Sequence, residues 1–344
     1  MVYLNYKIQK EDRLMKKFIN DVENVENEML EGLVVSHPNY VKRIPGFDVL
    51  VRTEKKENKV AVISGGGSGH EPAHAGYIGK GMLDAAVAGA VYTSPTPDQV
   101  EAAIKEVDAG KGVLMVVKNY TGDVMNFEMA AEMAEADGIK TAEVITNDDV
   151  AVEDSLYTTG RRGVAGTIFV HKIAGAKAEE GASLEEVKAV AEKVIANVRT
   201  MGVAIKPSTV PAAGKPGFEL AEDEMELGIG IHGEPGTSRE KIQPADVVVD
   251  HLVEKILADI DYSESEVAVM VNGSGATPAM ELYIMSKRVH EILAEKGIKV
   301  VKTLVGNFMT SIDMAGASIT LLKLDDETKA LLNAPADTIA FTQV

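Results

Sequence analysis

The residues of this chain best suited to chemistry are histidines, carboxylates and lysines set among glycines. No cysteine occurs in its 344 residues. That excludes disulfides, thiolate nucleophiles and cysteine-based zinc sites, and leaves His, Asp, Glu, Lys and Ser to carry any reaction. His232 stands in Gly230-Ile231-His232-Gly233-Glu234-Pro235-Gly236, whose small residues let a ligand come close to the imidazole. A ligand-contacting histidine and a hydrogen-bonded loop histidine both fit that pattern. The literal GxGxxG at 228–233 runs straight into Glu234-Pro235-Gly236, so no helix can start where a dinucleotide needs one. The same feature argues against a nucleotide-binding oxidoreductase.

Residues 64–72, Ser-Gly-Gly-Gly-Ser-Gly-His-Glu-Pro, read as a glycine-rich turn that either offers backbone N–H groups to a polar ligand or simply caps a helix. His70-Glu71 occupies the place where a Walker A loop needs Lys followed by Ser or Thr, so nucleoside triphosphate binding is not supported. His70 suits acid–base work, with a solvated loop histidine as the bland alternative. His74, four residues on, would share a helical face with it as a metal pair, but Pro72 and the lack of a nearby third ligand oppose this. Lys118 and Asp123 bracket Asn119-Tyr120-Thr121-Gly122 after an apolar strand. An aspartate there can take a hydroxyl proton while the lysine neutralises developing charge; an Asx-type turn at 122–123 explains the local sequence equally well. The glycine turn at 272–278 reads as structural and the run 222–226 as a solvated acidic face.

These loops need elements to hold them. Residues 59–64, 112–117 and 141–146 are short apolar, β-branched runs that read as strands. Thr96-Pro97-Asp98-Gln99 resembles a capping box with Pro at the first helical position, and it opens a helix ending at Gly110. A further helix is expected over about 126–136. The capping box at 183–186 opens one more, through about 199. Alternating strands and helices imply a sheet with crossovers whose ligand crevice lies beyond the strand C-termini, the edge on which both polar loops fall. Residues 201–241 are rich in Gly, Pro and short β-like runs, which places a domain change near residue 200. A helix at about 244–258, strands at 267–271, 300–304 and 318–323, and a helix between the first two complete the second half. The expected fold is α/β in two domains, each a mixed β-sheet flanked by helices. Residues 1–14 read as an N-terminal extension before a second possible start at Met15, 15–200 as the first domain and 201–344 as the second.

A chain of this length favours two cores over one. Its formal charge of −18 repels nucleic acid and anionic lipid, and no basic cluster interrupts it. No stretch is long and apolar enough for a membrane span or a signal sequence, so a cytoplasmic protein is expected.

Taken in order, GGGSGHEP (65–72), TSPTPDQ (93–99), KNYTGD (118–123), DDVAVEDS (148–155), GRRGVAGT (160–167), TVPAAGKP (209–216), GIHGEPG (230–236) and SITLLK (318–323) closely resemble the K-subunit family of dihydroxyacetone kinases. Each segment alone is weak; all of them in register are specific. The resemblance implies a homodimer that binds dihydroxyacetone as a hemiaminal on His232, with His70 and Asp123 as acid–base pair and Gly67 and Lys118 as further substrate contacts. It implies a phosphotransferase with an alcohol acceptor and no metal or cofactor on this chain. ADP or ATP with magnesium is expected on a separate L subunit, fed from phosphoenolpyruvate through a phosphotransferase-system donor. The rival within the resemblance is a ketone-sensing paralog that co-activates a transcription regulator. Such a sensor needs the anchor but not the acid–base pair, so the presence of His70 and Asp123 favours the enzyme.

Overall fold

The computed structural model describes residues 15–153 and 158–344; the expected extension at 1–14 and part of the 148–155 segment lie outside the described residues. In chain order the first half runs α1 (Val25–Ser36), β1 (Val41–Arg43), β2 (Val49–Arg52), β3 (Ala61–Ser68), β4 (Gly79–Lys80), β5 (Ala85–Val91), α2 (Pro97–Val107), β6 (Val113–Lys118), α3 (Thr121–Ala136) and β7 (Thr141–Thr146). There follow α4 (Thr167–Glu179), α5 (Leu184–Asn197), β8 (Val198–Lys206), β9 (Glu224–Leu227), β10 (Ser238–Lys241) and α6 (Ala245–Asp259). The chain closes with β11 (Glu266–Gly273), α7 (Ala279–Glu295), β12 (Lys299–Gly306), β13 (Ala315–Leu324), α8 (Asp326–Asn333), β14 (Ala336–Thr338) and β15 (Thr342–Gln343).

Two six-stranded mixed sheets result, ordered β1-β2-β5-β3-β6-β7 and β10-β9-β8-β13-β11-β12, with a small sheet β15-β14-β4 beside them. The fold is α/β, as expected. In the first sheet β5, β3, β6 and β7 are parallel, so the ends of β3 and β6 open on one edge. Helices α2 and α3 cover one face, where Val100, Ile104, Phe127 and Ala130 meet Ile63, Met115 and Val117. The opposite face shares a core with the second sheet: Val62, Val116, Met270 and Leu322 lie in one cluster with Ile168, Phe169, Val187 and Val194 of α4 and α5. Helices α6 and α7 cover the far side of the second sheet. Among the described residues no helix is long and apolar enough to cross a membrane.

Three local expectations change. The glycines at 65–67 continue β3 rather than forming a turn, because neighbouring backbone crowds them: a Cβ on Gly65 would lie 2.6 Å from the Val87 carbonyl oxygen, and one on Gly67 2.6 Å from the Thr93 nitrogen. Helix α3 starts at Thr121, so Asp123 lies in its first turn, where the helix dipole favours a carboxylate, and the Asx-turn alternative falls. Thr96 precedes α2 without a side-chain cap bond, whereas the capping box at Ser183 and Glu186 forms in full. Helix α4 has no counterpart in the sequence reading. It is buried on nearly every side and so lacks the polar stripe by which a helix is recognised.

Candidate functional site

The site is assembled where the ends of β3 and β6 meet the 230–236 loop. Gly67, Tyr92, Tyr120, Asp123 and His232 line an open cleft of about 670 Å³. His232 is the centre of an aromatic cage: its ring centroid lies 4.8 Å from His70, 5.1 Å from Tyr92 and 4.7 Å from Tyr120, all edge-on.

Glu234 sets the chemistry of that ring. Its Oε1 lies 3.0 Å from His232 Nδ1, and its Oε2 accepts the His232 backbone N–H at 3.0 Å. Burial pushes the Glu234 carboxyl up, but the hydrogen bond and charge of His232 and the charge of Arg162 outweigh it and bring it to about 2. An ionised carboxylate only accepts, so Nδ1 carries a proton in either charge state, and in the neutral ring Nε2 keeps the lone pair. The close packing explains Gly230, where a Cβ would lie 1.9 Å from Glu234 Oε2. Arg162, wholly buried behind the loop, pairs with Asp149 at 2.6 Å and donates to the Gly228 carbonyl at 2.8 Å.

His70 is completely buried, and its Nδ1 lies 2.7 Å from the Thr310 carbonyl oxygen, an acceptor only. Its Nε2 is therefore also a lone pair. Burial, aided by the His232 and Lys118 charges, holds this imidazole well below its usual range. The 272–278 turn acts at a distance: the Asn272 side chain binds the backbone of Phe308 and Met309, next to the Thr310 that anchors His70.

Lys118, at the end of β6, is buried; its Nζ donates to the Gly65 carbonyl at 3.1 Å and lies 3.8 Å from Asp123 Oδ2. A Cβ on Gly66 would strike that ammonium at 2.4 Å. Three buried polar atoms cluster around the cleft without a partner among the described residues, His70 Nε2, Tyr120 Oη and Asp123 Oδ1, with Arg162 Nη1 likewise unpartnered behind the 230–236 loop. Buried polar groups are rarely left so, and their convergence marks a place for a small, hydroxyl-rich ligand.

Comparison with known proteins decides the family. The Dak1 domain model matches residues 31–340. The chain belongs to the Dak1 family. The dihydroxyacetone-binding subunit of PTS-dependent dihydroxyacetone kinase 1 from Listeria innocua is 59% identical over 329 residues, covering 95% of this chain and 100% of the relative. The corresponding subunit of the PEP-dependent dihydroxyacetone kinase from Escherichia coli is 44% identical over 351 residues, covering 95% of this chain and 99% of the relative. Among solved structures, the native dihydroxyacetone kinase of C. freundii superposes with TM-score 0.89 at 36% identity, covering 96% of this chain and 61% of that one. The dihydroxyacetone kinase operon co-activator DhaQ superposes with TM-score 0.88 at 39% identity, covering 94% and 99%.

Within this Dak1 domain the residues singled out from sequence, Gly67, His70, Lys118, Asp123 and His232, converge on one cleft. The His70–His74 metal pair does not form: His74 turns inward to Lys118 and His171, 2.9 Å from each. The 222–226 run is only partly a solvated face, since Glu226 is buried and accepts from the Gly236 N–H at 3.0 Å. Sequence reasoning passed over Glu234, Arg162, Tyr92 and Tyr120. Glu234 had a signal, an acid two residues from the key histidine, and Tyr120 lay inside the 118–123 loop already singled out; Tyr92, carried on another loop, had none.

Proposed function

We propose that the chain is the ketone-binding subunit of a dihydroxyacetone kinase, holding dihydroxyacetone covalently on His232 while a separate L subunit carrying ADP or ATP with magnesium supplies the phosphoryl group. The observation that carries this reading is the Glu234-held His232 ring, packed beside His70 and Tyr120, whose Nε2 and Oη have no partner among the described residues. Non-covalent binding of a ligand with about six heavy atoms is capped near 9 kcal/mol, at about 1.5 kcal/mol per atom, before polar desolvation is subtracted. Hydrogen bonds alone would also separate the ketone poorly from glycerol, which has similar hydroxyls but no carbonyl to attack.

In the addition, His232 Nε2 bonds to the carbonyl carbon and the C=O π pair moves to oxygen, which takes one proton from solvent through His70. The ring becomes an imidazolium beside the Glu234 carboxylate. Breakdown reverses each transfer. While the ketone is still held, Asp123 Oδ1 accepts the proton of the terminal hydroxyl as its oxygen attacks phosphorus and the nucleotide leaves on the partner. Lys118, beside Asp123, steadies the charge. Relatives matched over 99–100% of their length are named as dihydroxyacetone-binding subunits of PTS-dependent and PEP-dependent kinases. Those names support a separate nucleotide carrier fed ultimately from phosphoenolpyruvate, and a homodimer in the cytoplasm completes the reading.

The test uses dihydroxyacetone labelled with ¹³C at the carbonyl, whose resonance moves on becoming tetrahedral. Wild type should show the adduct and His232→Ala none. Asp123→Asn should keep the adduct while losing about 100-fold or more in turnover with the L subunit and its donor. Free trigonal ketone in the wild-type site would overturn the covalent reading. The similarity to DhaQ supports the sensor as a second reading; a wild type that captures ketone yet never turns over would establish it.

A further inference from the structure

Behind Lys118 lies a buried polar chain that the proposed reaction does not use. Lys118 Nζ lies 2.9 Å from His74 Nε2, and His74 Nδ1 lies 2.9 Å from His171 Nε2. All three side chains are buried. The hydrogen positions follow from the ammonium at one end. An ammonium can only donate, so His74 Nε2 must accept. In a neutral ring that leaves the hydrogen on Nδ1, and the Ser64 hydroxyl, 3.3 Å from Nδ1, agrees, since it spends its only proton on the Val116 carbonyl at 2.7 Å and cannot donate there. That tautomer obliges His171 to accept at Nε2 and to keep its proton on Nδ1, a buried atom with no partner among the described residues. Burial first, and then the Lys118 charge, depress both rings, which agrees with two neutral imidazoles.

A buried ammonium is costly unless its protons find acceptors. Lys118 has three to place. The Gly65 carbonyl takes one and His74 another, and Asp123 Oδ2, at 3.8 Å, marks the direction left for the third. We infer that His74 and His171 are positioning residues: His171 locks the His74 tautomer, and His74 holds the Lys118 ammonium so that its remaining proton faces Asp123 and the substrate hydroxyl. This rests on the reading of Asp123 as the base, and it assigns work to a histidine that the sequence offered only as half of a metal pair.

Two measurements test it. Long-range ¹H–¹⁵N NMR of the histidine rings in the whole chain, without substrate, should show His74 and His171 neutral with the hydrogen on Nδ1. A hydrogen on Nε2 in either ring would overturn the relay whatever the protein's activity. In the reconstituted phosphorylation assay, His74→Leu should lower kcat about 10- to 100-fold, the scale of a small misplacement of a reacting group, while capture of carbonyl-labelled dihydroxyacetone on His232 stays within about twofold. His74→Gln, whose amide oxygen can accept from Lys118, should restore kcat to within about threefold. Equal loss of capture and turnover, unchanged turnover in the leucine variant, or failure of Gln to rescue would each refute the positioning role. If no substrate adduct forms in the wild type, the functional reading fails while the tautomer result still stands.

Discussion

Two loops face each other across the cleft with a histidine apiece, and their supports could hardly differ more. The loop after β3 seals His70 completely, ties its Nδ1 to a backbone carbonyl and lets burial suppress its charge. The 230–236 loop leaves His232 partly open and backs the same ring atom with a carboxylate. A carbonyl merely fixes a tautomer, whereas a carboxylate also stabilises the cation that forms when the ring makes a fourth bond. Identical side chains with ring centroids 4.8 Å apart are thereby separated into a neutral acceptor and a nucleophile.

The sharpest way to break this contrast is Gly230→Ala. The added methyl would overlap Glu234 Oε2 at 1.9 Å and push the carboxylate off His232. Ketone capture, followed by the ¹³C resonance, should fall about 100-fold or more while the His70 ring keeps its Nδ1–H tautomer. Unaltered capture would show that Glu234 does not govern the nucleophile.

Acid should separate the two loops in order. His70, His74 and His171 have folded pKa values below the ordinary 6.5, His171 reaching about 3 through burial and the Lys118 charge. The unfolded chain then binds more protons than the native one below pH 6.5, so this stabilisation is complete above 6.5 and drains away as pH falls toward 3. Glu234, held at about 2 against 4.5, retains its contribution until pH drops below 4.5 and loses it by about 2. Glu143 and Asp149, whose carboxyls burial raises to about 7 and about 6, pull the other way, so the isolating measurement is the variant: His171→Gln should lose less stability than wild type between pH 7 and pH 5 in denaturation midpoints. A slope unchanged by His171→Gln would contradict a neutral buried imidazole at that position.

The smallest effect provides the baseline. Ser183→Ala removes the capping box of α5, remote from the cleft, and should cost about 1 kcal/mol in chemical denaturation with ketone capture untouched. A loss of capture there would mean that the site responds to stability in general.

Much of this molecule was legible before any coordinates. The apolar runs 59–64 and 112–117 mark strands because β-branched residues between polar loops have few other uses, and both loops do open on one sheet edge. His70, Lys118, Asp123 and His232 stand out by residue type beside glycine. Helix α4 stayed hidden because burial on all sides erases the periodicity that betrays a helix, and the start of α3 was misplaced because Thr121-Gly122-Asp123 has turn-like chemistry that packing overrides.

The sequence by itself determined which groups could react: a chain with no cysteine and these few histidines beside glycine has a short menu. Only the tertiary structure decided what each one does. The protonation of a ring depends on the atom opposite it, and those atoms, Thr310 for His70, Glu234 for His232 and Lys118 for His74, are mostly brought in from distant parts of the chain.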